Sequence, residues 1–127
     1  MKDSSTLLLE LLQNYIPLNL SRAKCLASFI IAMLDCRTVN MAFLCNSMPS
    51  DIKAASWYRR MQRFVSEVSI SWRVLPKMLV SMMGLENEKQ WVLCLDRTNW
   101  KFGKRYINVL YLAVSFHGVA IPLFGVF

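Results

Sequence analysis

Trp91-Val92-Leu93-Cys94-Leu95-Asp96-Arg97-Thr98-Asn99-Trp100 is where the pattern of this chain changes. Upstream, apolar residues recur at helical spacing. From here on they come in dense short runs punctuated by Gly103 and by His117-Gly118, as in strands joined by turns. Residues 90–97, 105–116 and 119–127 are therefore expected to be three strands. Both faces of the second and third are apolar, so they call for another layer to cover them. Asp96 breaks the first run. Aspartate is depleted in strands, and an uncompensated carboxylate in apolar surroundings costs free energy of the order of several kcal/mol. A strand that violates its own pattern with one carboxylate marks a candidate catalytic or metal position. No acidic residue follows Asp96 before Phe127.

The segment from Tyr106 to Phe127 carries no formal charge and follows Lys101, Lys104 and Arg105, which in length and basic flank would also suit a membrane span. Asn108, Ser115, the central His117-Gly118 and Pro122 speak for a hairpin instead. Pro122 then belongs at a strand end or a bulge, because it cannot donate to a ladder.

Upstream of the strands the expectation is helical. Residues 5–15 align Leu8, Leu11, Leu12 and Tyr15 on one face and stop at Pro17. Ser21 is a candidate N-cap for a helix to about Cys36, with Ala23, Ala27, Ile30, Ile31 and Leu34 as its buried stripe. Thr38 is a candidate cap for a short helix through Cys45, with Val39, Ala42 and Phe43 inward, followed by a turn at 46–50. A helix from about Asp51 to Val68 should bury Trp57, Met61, Phe64, Val65 and Val68. In the stretch 72–83, Pro76 predicts a kink or two shorter helices. Gly84 and Glu86-Asn87-Glu88-Lys89 read as a linker, which sets a helical region at 1–88 and a strand region at 89–127.

Charge supplies the functional clue. The 127 residues carry a net charge of +7, which points to a polyanionic partner. It concentrates in Tyr58-Arg59-Arg60-Met61-Gln62-Arg63, which no acid interrupts. Lys53, Arg60 and Arg63 share a helical face, with Arg59 beside Arg63. The plain alternative is a solvated basic face. A short capped helix, a turn and a basic helix nevertheless follow one another in the order of a helix-turn-helix, whose second helix enters the major groove. Arg and Gln are side chains suited to phosphates and base edges. Lys53, Arg59, Arg60 and Arg63 are the expected DNA contacts, followed by Lys101, Lys104 and Arg105.

Other chemistries lack their residues. The cysteines at 25, 36, 45 and 94 form no Cys-x-x-Cys pair, and His117 is the only histidine, so zinc-ligand spacing is missing. They read as reduced thiols of a cytosolic protein, with no signal peptide ahead of them. All four glycines lie at or beyond position 84, which leaves no phosphate loop before a helix. His117 reads as a turn residue, and Met78, Met82 and Met83 as core.

Leu95-Asp96-Arg97-Thr98-Asn99-Trp100, then Ile107-Asn108-Val109-Leu110 and Gly118-Val119-Ala120-Ile121-Pro122-Leu123, resemble the start of the catalytic domain of bacterial insertion-sequence transposases of the DDE type. The block Tyr58 to Phe64 is similar to the basic helix of their amino-terminal region, and the likeness runs from about Ser21 to the end. The resemblance implies an α+β chain: an amino-terminal helical bundle with a helix-turn-helix-like segment, then three antiparallel strands of a truncated RNase H-like sheet. It also implies a cytoplasmic, nucleoid-associated bacterial protein with double-stranded DNA, the transposon ends, as its partner. Full-length transposase or a second copy is a further expected partner, and no membrane is. In the family, three carboxylates hold two magnesium ions about 3.5–4 Å apart to activate the attacking oxygen and stabilise the leaving one. Asp96 matches the first of the three, as catalytic residue and metal ligand. The other two have no counterpart here. The chain is thus expected to lack cleavage activity alone and to hold no magnesium tightly. A DNA-binding or dimerising inhibitor of the full-length enzyme is the alternative, and a small membrane-associated protein a more distant one.

Overall fold

The computed structural model describes residues 2–127. The fold is α+β, with five α-helices followed by a three-stranded antiparallel sheet among the described residues. The chain forms two compact units, one ending at Ile70 and the other beginning at Ser71.

The first unit holds α1 (Ser4–Tyr15), α2 (Leu20–Cys36), α3 (Met41–Cys45) and α4 (Ala54–Glu67). Two asparagines start helices here. The Asn19 side chain accepts from Arg22 N–H at 2.9 Å, so it caps α2 where Ser21 was expected to. Asn40 accepts from Ala42 and Phe43 N–H and caps α3, while Thr38 Oγ1 accepts from Asn40 N–H one step earlier. The core gathers Phe29 and Ala32 of α2, Leu44 and Cys45 of α3, Met48, and Trp57 and Met61 of α4. Trp57 Nε1 donates to Pro49 O at 3.1 Å, which anchors the turn between α3 and α4.

The buried stripes are narrower than their periodicity suggests. In α2, Ala23, Ala27, Phe29 and Ala32 are buried, whereas Leu34 lies in the open. In α3 the inward pair is Leu44 and Cys45, not Val39, Ala42 and Phe43. In α4, Val65 is exposed while Trp57 and Met61 are buried. A bundle of short helices gives each one a narrow contact strip, so apolar residues at the strip's margin stay in solvent.

The second unit begins with α5 (Val74–Met82) and a 3-10 turn at Leu85–Asn87. Pro76 does not kink α5. It is the third residue, inside the first turn, where backbone N–H groups have no intrahelical acceptor to lose. The sheet has the order β1-β2-β3, with β1 at Leu93–Phe102, β2 at Arg105–Phe116 and β3 at Val119–Val126. Residues 106–127 thus form two strands joined by the His117-Gly118 turn, with only Phe127 beyond them, and no helix among the described residues is long and apolar enough to cross a membrane. β1 starts later and runs on past Arg97 to Phe102, because its polar half pairs as well. Arg97 Nη2 donates to Asn108 Oδ1 at 3.1 Å, and Asn99 faces Asn108 across the ladder.

The hairpin turns each contain two residues. Gly103 has φ 62° between Phe102 and Arg105, whereas His117 and Gly118 both take positive φ, 49° and 78°. That second pattern is a type I′ turn, whose twist matches paired strands. The β2–β3 register slips between Leu112 and Ala113, and Pro122, opposite Ala113, sits beside that bulge on an edge strand.

α5 packs with β3, and Trp72 meets Phe124 edge-on at 5.7 Å. The unit therefore begins well before the compositional break at 84–89. The cover on the sheet is partial. Val109, Ala113 and Val114 of the central strand are buried, but Leu95 and Tyr106 remain 72% and 70% exposed.

Candidate nucleic-acid interface

α4 has its apolar and basic residues on different sides. Trp57 and Met61 are buried, and Phe64 packs against Phe29 with ring centroids 6.3 Å apart. Burying that strip turns Arg59, Arg60 and Arg63 outward, and all three are exposed. Arg60 lies over the Trp57 ring at 5.3 Å, a cation–π contact that fixes the guanidinium without neutralising it.

Among the described residues, none of these arginines forms an ion pair with a carboxylate. The one ion pair among the described residues joins Lys2 to Glu10 on α1. Lys53 occupies the N-cap position of α4, and no acidic residue stands in the first turn. A cation at the positive end of a helix dipole is unfavourable for the helix and raises the local positive potential.

Arg60 and Arg63 also line a cleft of about 310 Å3, together with Arg22 and Cys25 from the start of α2 and with Phe64 and Glu67 of α4. Burial pushes the Cys25 thiol above its ordinary range, and the nearby Arg60 charge opposes that rise. Cys45, in the core, is also pushed up by burial. Arg22 was not among the expected contacts. Its position in the first turn of α2 carries no local signal, because the α2–α4 approach that brings it near Arg60 and Arg63 is a long-range contact.

The second basic group is a property of the β1–β2 hairpin. Lys101 and Arg105 flank the turn, Lys104 sits in it, and all are exposed. Lys101 Nζ lies 5.6 Å from the centre of the Tyr106 ring, its cross-strand neighbour. This group belongs to the sheet unit, and the arginines of α4 to the helical one.

Asp96 lies midway along β1, opposite Tyr111. β1 is an edge of this three-stranded sheet, and the Asp96 side chain is exposed, so the cost of burying it does not arise. Its Oδ1 accepts from Arg97 N–H at 2.8 Å. Among the described residues no three His, Cys, Asp or Glu side chains come together as a metal-binding group.

No family model, curated protein or solved structure matches this chain.

Proposed function

We propose that this chain is the amino-terminal portion of a DNA transposase of the insertion-sequence DDE type. In this reading its helical unit binds duplex DNA, and its sheet is the beginning of an RNase H-like catalytic domain. The observation that carries the DNA-binding half is the exposed arginine face of α4, whose arginines form no ion pair among the described residues. α3, the Trp57-anchored turn and α4 act as a helix-turn-helix, with α4 as the helix that meets DNA and Lys53, Arg59, Arg60 and Arg63 on phosphates. Lys101, Lys104 and Arg105 add a second contact from the hairpin. The catalytic half rests on the sequence likeness around Asp96 and on a sheet whose apolar residues Leu95 and Tyr106 lack cover, as suits a sheet built into a larger layered domain.

The residues present do not fit a two-metal clamp. Asp96 is an exposed carboxylate, no acidic residue follows it in the sequence, and among the described residues no three potential ligands gather as a metal-binding group; hydrated magnesium is held weakly by one carboxylate. No cleavage step is assigned to this chain alone.

The test is the salt dependence of duplex DNA binding. Each phosphate contact contributes a slope of about 0.9 in log K against log salt. Replacing Arg59, Arg60 and Arg63 together with alanine should flatten the slope by about two to three units. An unchanged slope would remove α4 from the interface.

A further inference from the structure

We propose that the cleft between the first turns of α2 and the last turns of α4 is a binding site for a phosphate group, held by the guanidinium groups of Arg22, Arg60 and Arg63. The site adds Arg22 to the basic residues of α4 and leaves Arg59 out. Three observations carry it. First, the packing of two helices, and not a run of sequence, brings three arginines around one concave space of about 310 Å3. Each is exposed at its rim, and none forms an ion pair within the described residues. Three like charges gathered around one space, with Glu67 as the one opposing charge, repel one another, and a doubly charged oxyanion relieves that repulsion.

Second, the ligand chemistry fits. Guanidinium forks match the oxygens of a phosphate in paired hydrogen bonds, which an ammonium cannot reproduce. Arg60 is already held over Trp57, so less side-chain freedom is lost when it binds. Third, the opposing charge is small. Glu67 is the single carboxylate lining the cleft, and it leaves an excess of positive charge there. Its presence also makes a directional expectation: neutralising it should tighten binding of an anion.

The phosphate could come from a nucleic-acid strand or from free solution, and the first source rests on the DNA-binding reading above. The experiment separates them. The full chain is titrated with inorganic phosphate against chloride of equal ionic strength, and with a short DNA duplex. Two signals are followed: the side-chain Nε–Hε resonances of the arginines, and the rate at which iodoacetamide alkylates Cys25, which lines the same cleft. Phosphate should shift Arg22, Arg60 and Arg63 but not Arg59, and should slow alkylation of Cys25 but not of Cys94.

Arg22→Gln should weaken phosphate binding by about tenfold or more, the worth of a charge-assisted hydrogen bond. Arg22→Lys should rescue it only partly, Arg59→Gln should leave it unchanged, and Glu67→Gln should strengthen it. Thermal unfolding of each variant checks that the bundle is intact. If phosphate gives no more response than chloride, or if Arg59→Gln weakens binding as much as Arg22→Gln, the site is overturned. In that case DNA binding that still depends on Arg59, Arg60 and Arg63 would leave the proposed function standing. Phosphate binding without duplex binding would have the opposite meaning: the cleft stands with free phosphate as its ligand, and the DNA reading falls.

Discussion

The helical unit and the sheet unit solve the problem of burial differently. Helices α2 to α4 close around Phe29, Leu44, Trp57 and Met61, each of them buried, and the basic residues of α4 fall on the outside as a consequence. The sheet buries Val109, Ala113 and Val114 on its central strand, while apolar residues of β1 and β3 such as Leu95 and Val126 face solvent. A helix bundle can complete a core from neighbours close in sequence. A sheet of three strands has two faces and needs layers on both, and here α5 supplies part of one. The exposed charge on α4 is thus a by-product of how the helical unit packs its core. The exposed apolar surface of the sheet marks a unit still short of cover.

That contrast can be broken by truncating one side chain in each unit. Trp57→Ala should destabilise the helical unit by about 3–5 kcal/mol, through lost burial and the cavity left behind, and by the loss of its bond to Pro49 O. Leu95→Ala, at an exposed position, should change stability by no more than about 0.5 kcal/mol. Urea unfolding followed by far-ultraviolet circular dichroism measures both. A Leu95→Ala effect rivalling that of Trp57→Ala would mean that the sheet face is covered in solution.

A smaller effect sharpens the account of the helical unit. Asn40→Ala removes the acceptor for two amide groups at the start of α3 and should cost about 1 kcal/mol. Because α3 is only five residues long, its end is a large part of it. The loss should appear as faster amide exchange in α3, with α2 little affected. Equal loosening of α2 would show that the two helices open as one body.

Much of this fold was legible because it is local. Periodicity located the helices, and His117-Gly118 located a hairpin that the positive φ of both residues bears out. Caps and stripes were harder. Asn19 and not Ser21 starts α2, and Leu34 lies outside the contact strip although its spacing matches, because the shape of the neighbouring helices decides how wide the strip is. Pro76 predicted a break because its place within the first turn depends on where α5 starts, which sequence fixes only loosely. At the candidate site, the exposed arginines of α4 could be read from the Arg59-Arg60-Met61-Gln62-Arg63 run. Arg22 could not, since it joins them across the α2–α4 packing. Asp96 stood out as a pattern breaker, yet on an edge strand its side chain reaches solvent.

The most direct measurement of the central claim is a map of the protein surface that a duplex perturbs. Isotope-labelled chain at low salt, titrated with a short DNA duplex, should show saturable shifts in the backbone amides of α4 and in the arginine side-chain signals of Arg59, Arg60 and Arg63. Weaker shifts are expected at Lys101, Lys104 and Arg105. Shifts confined to that hairpin, or a duplex that perturbs no residue of α4, would contradict the account.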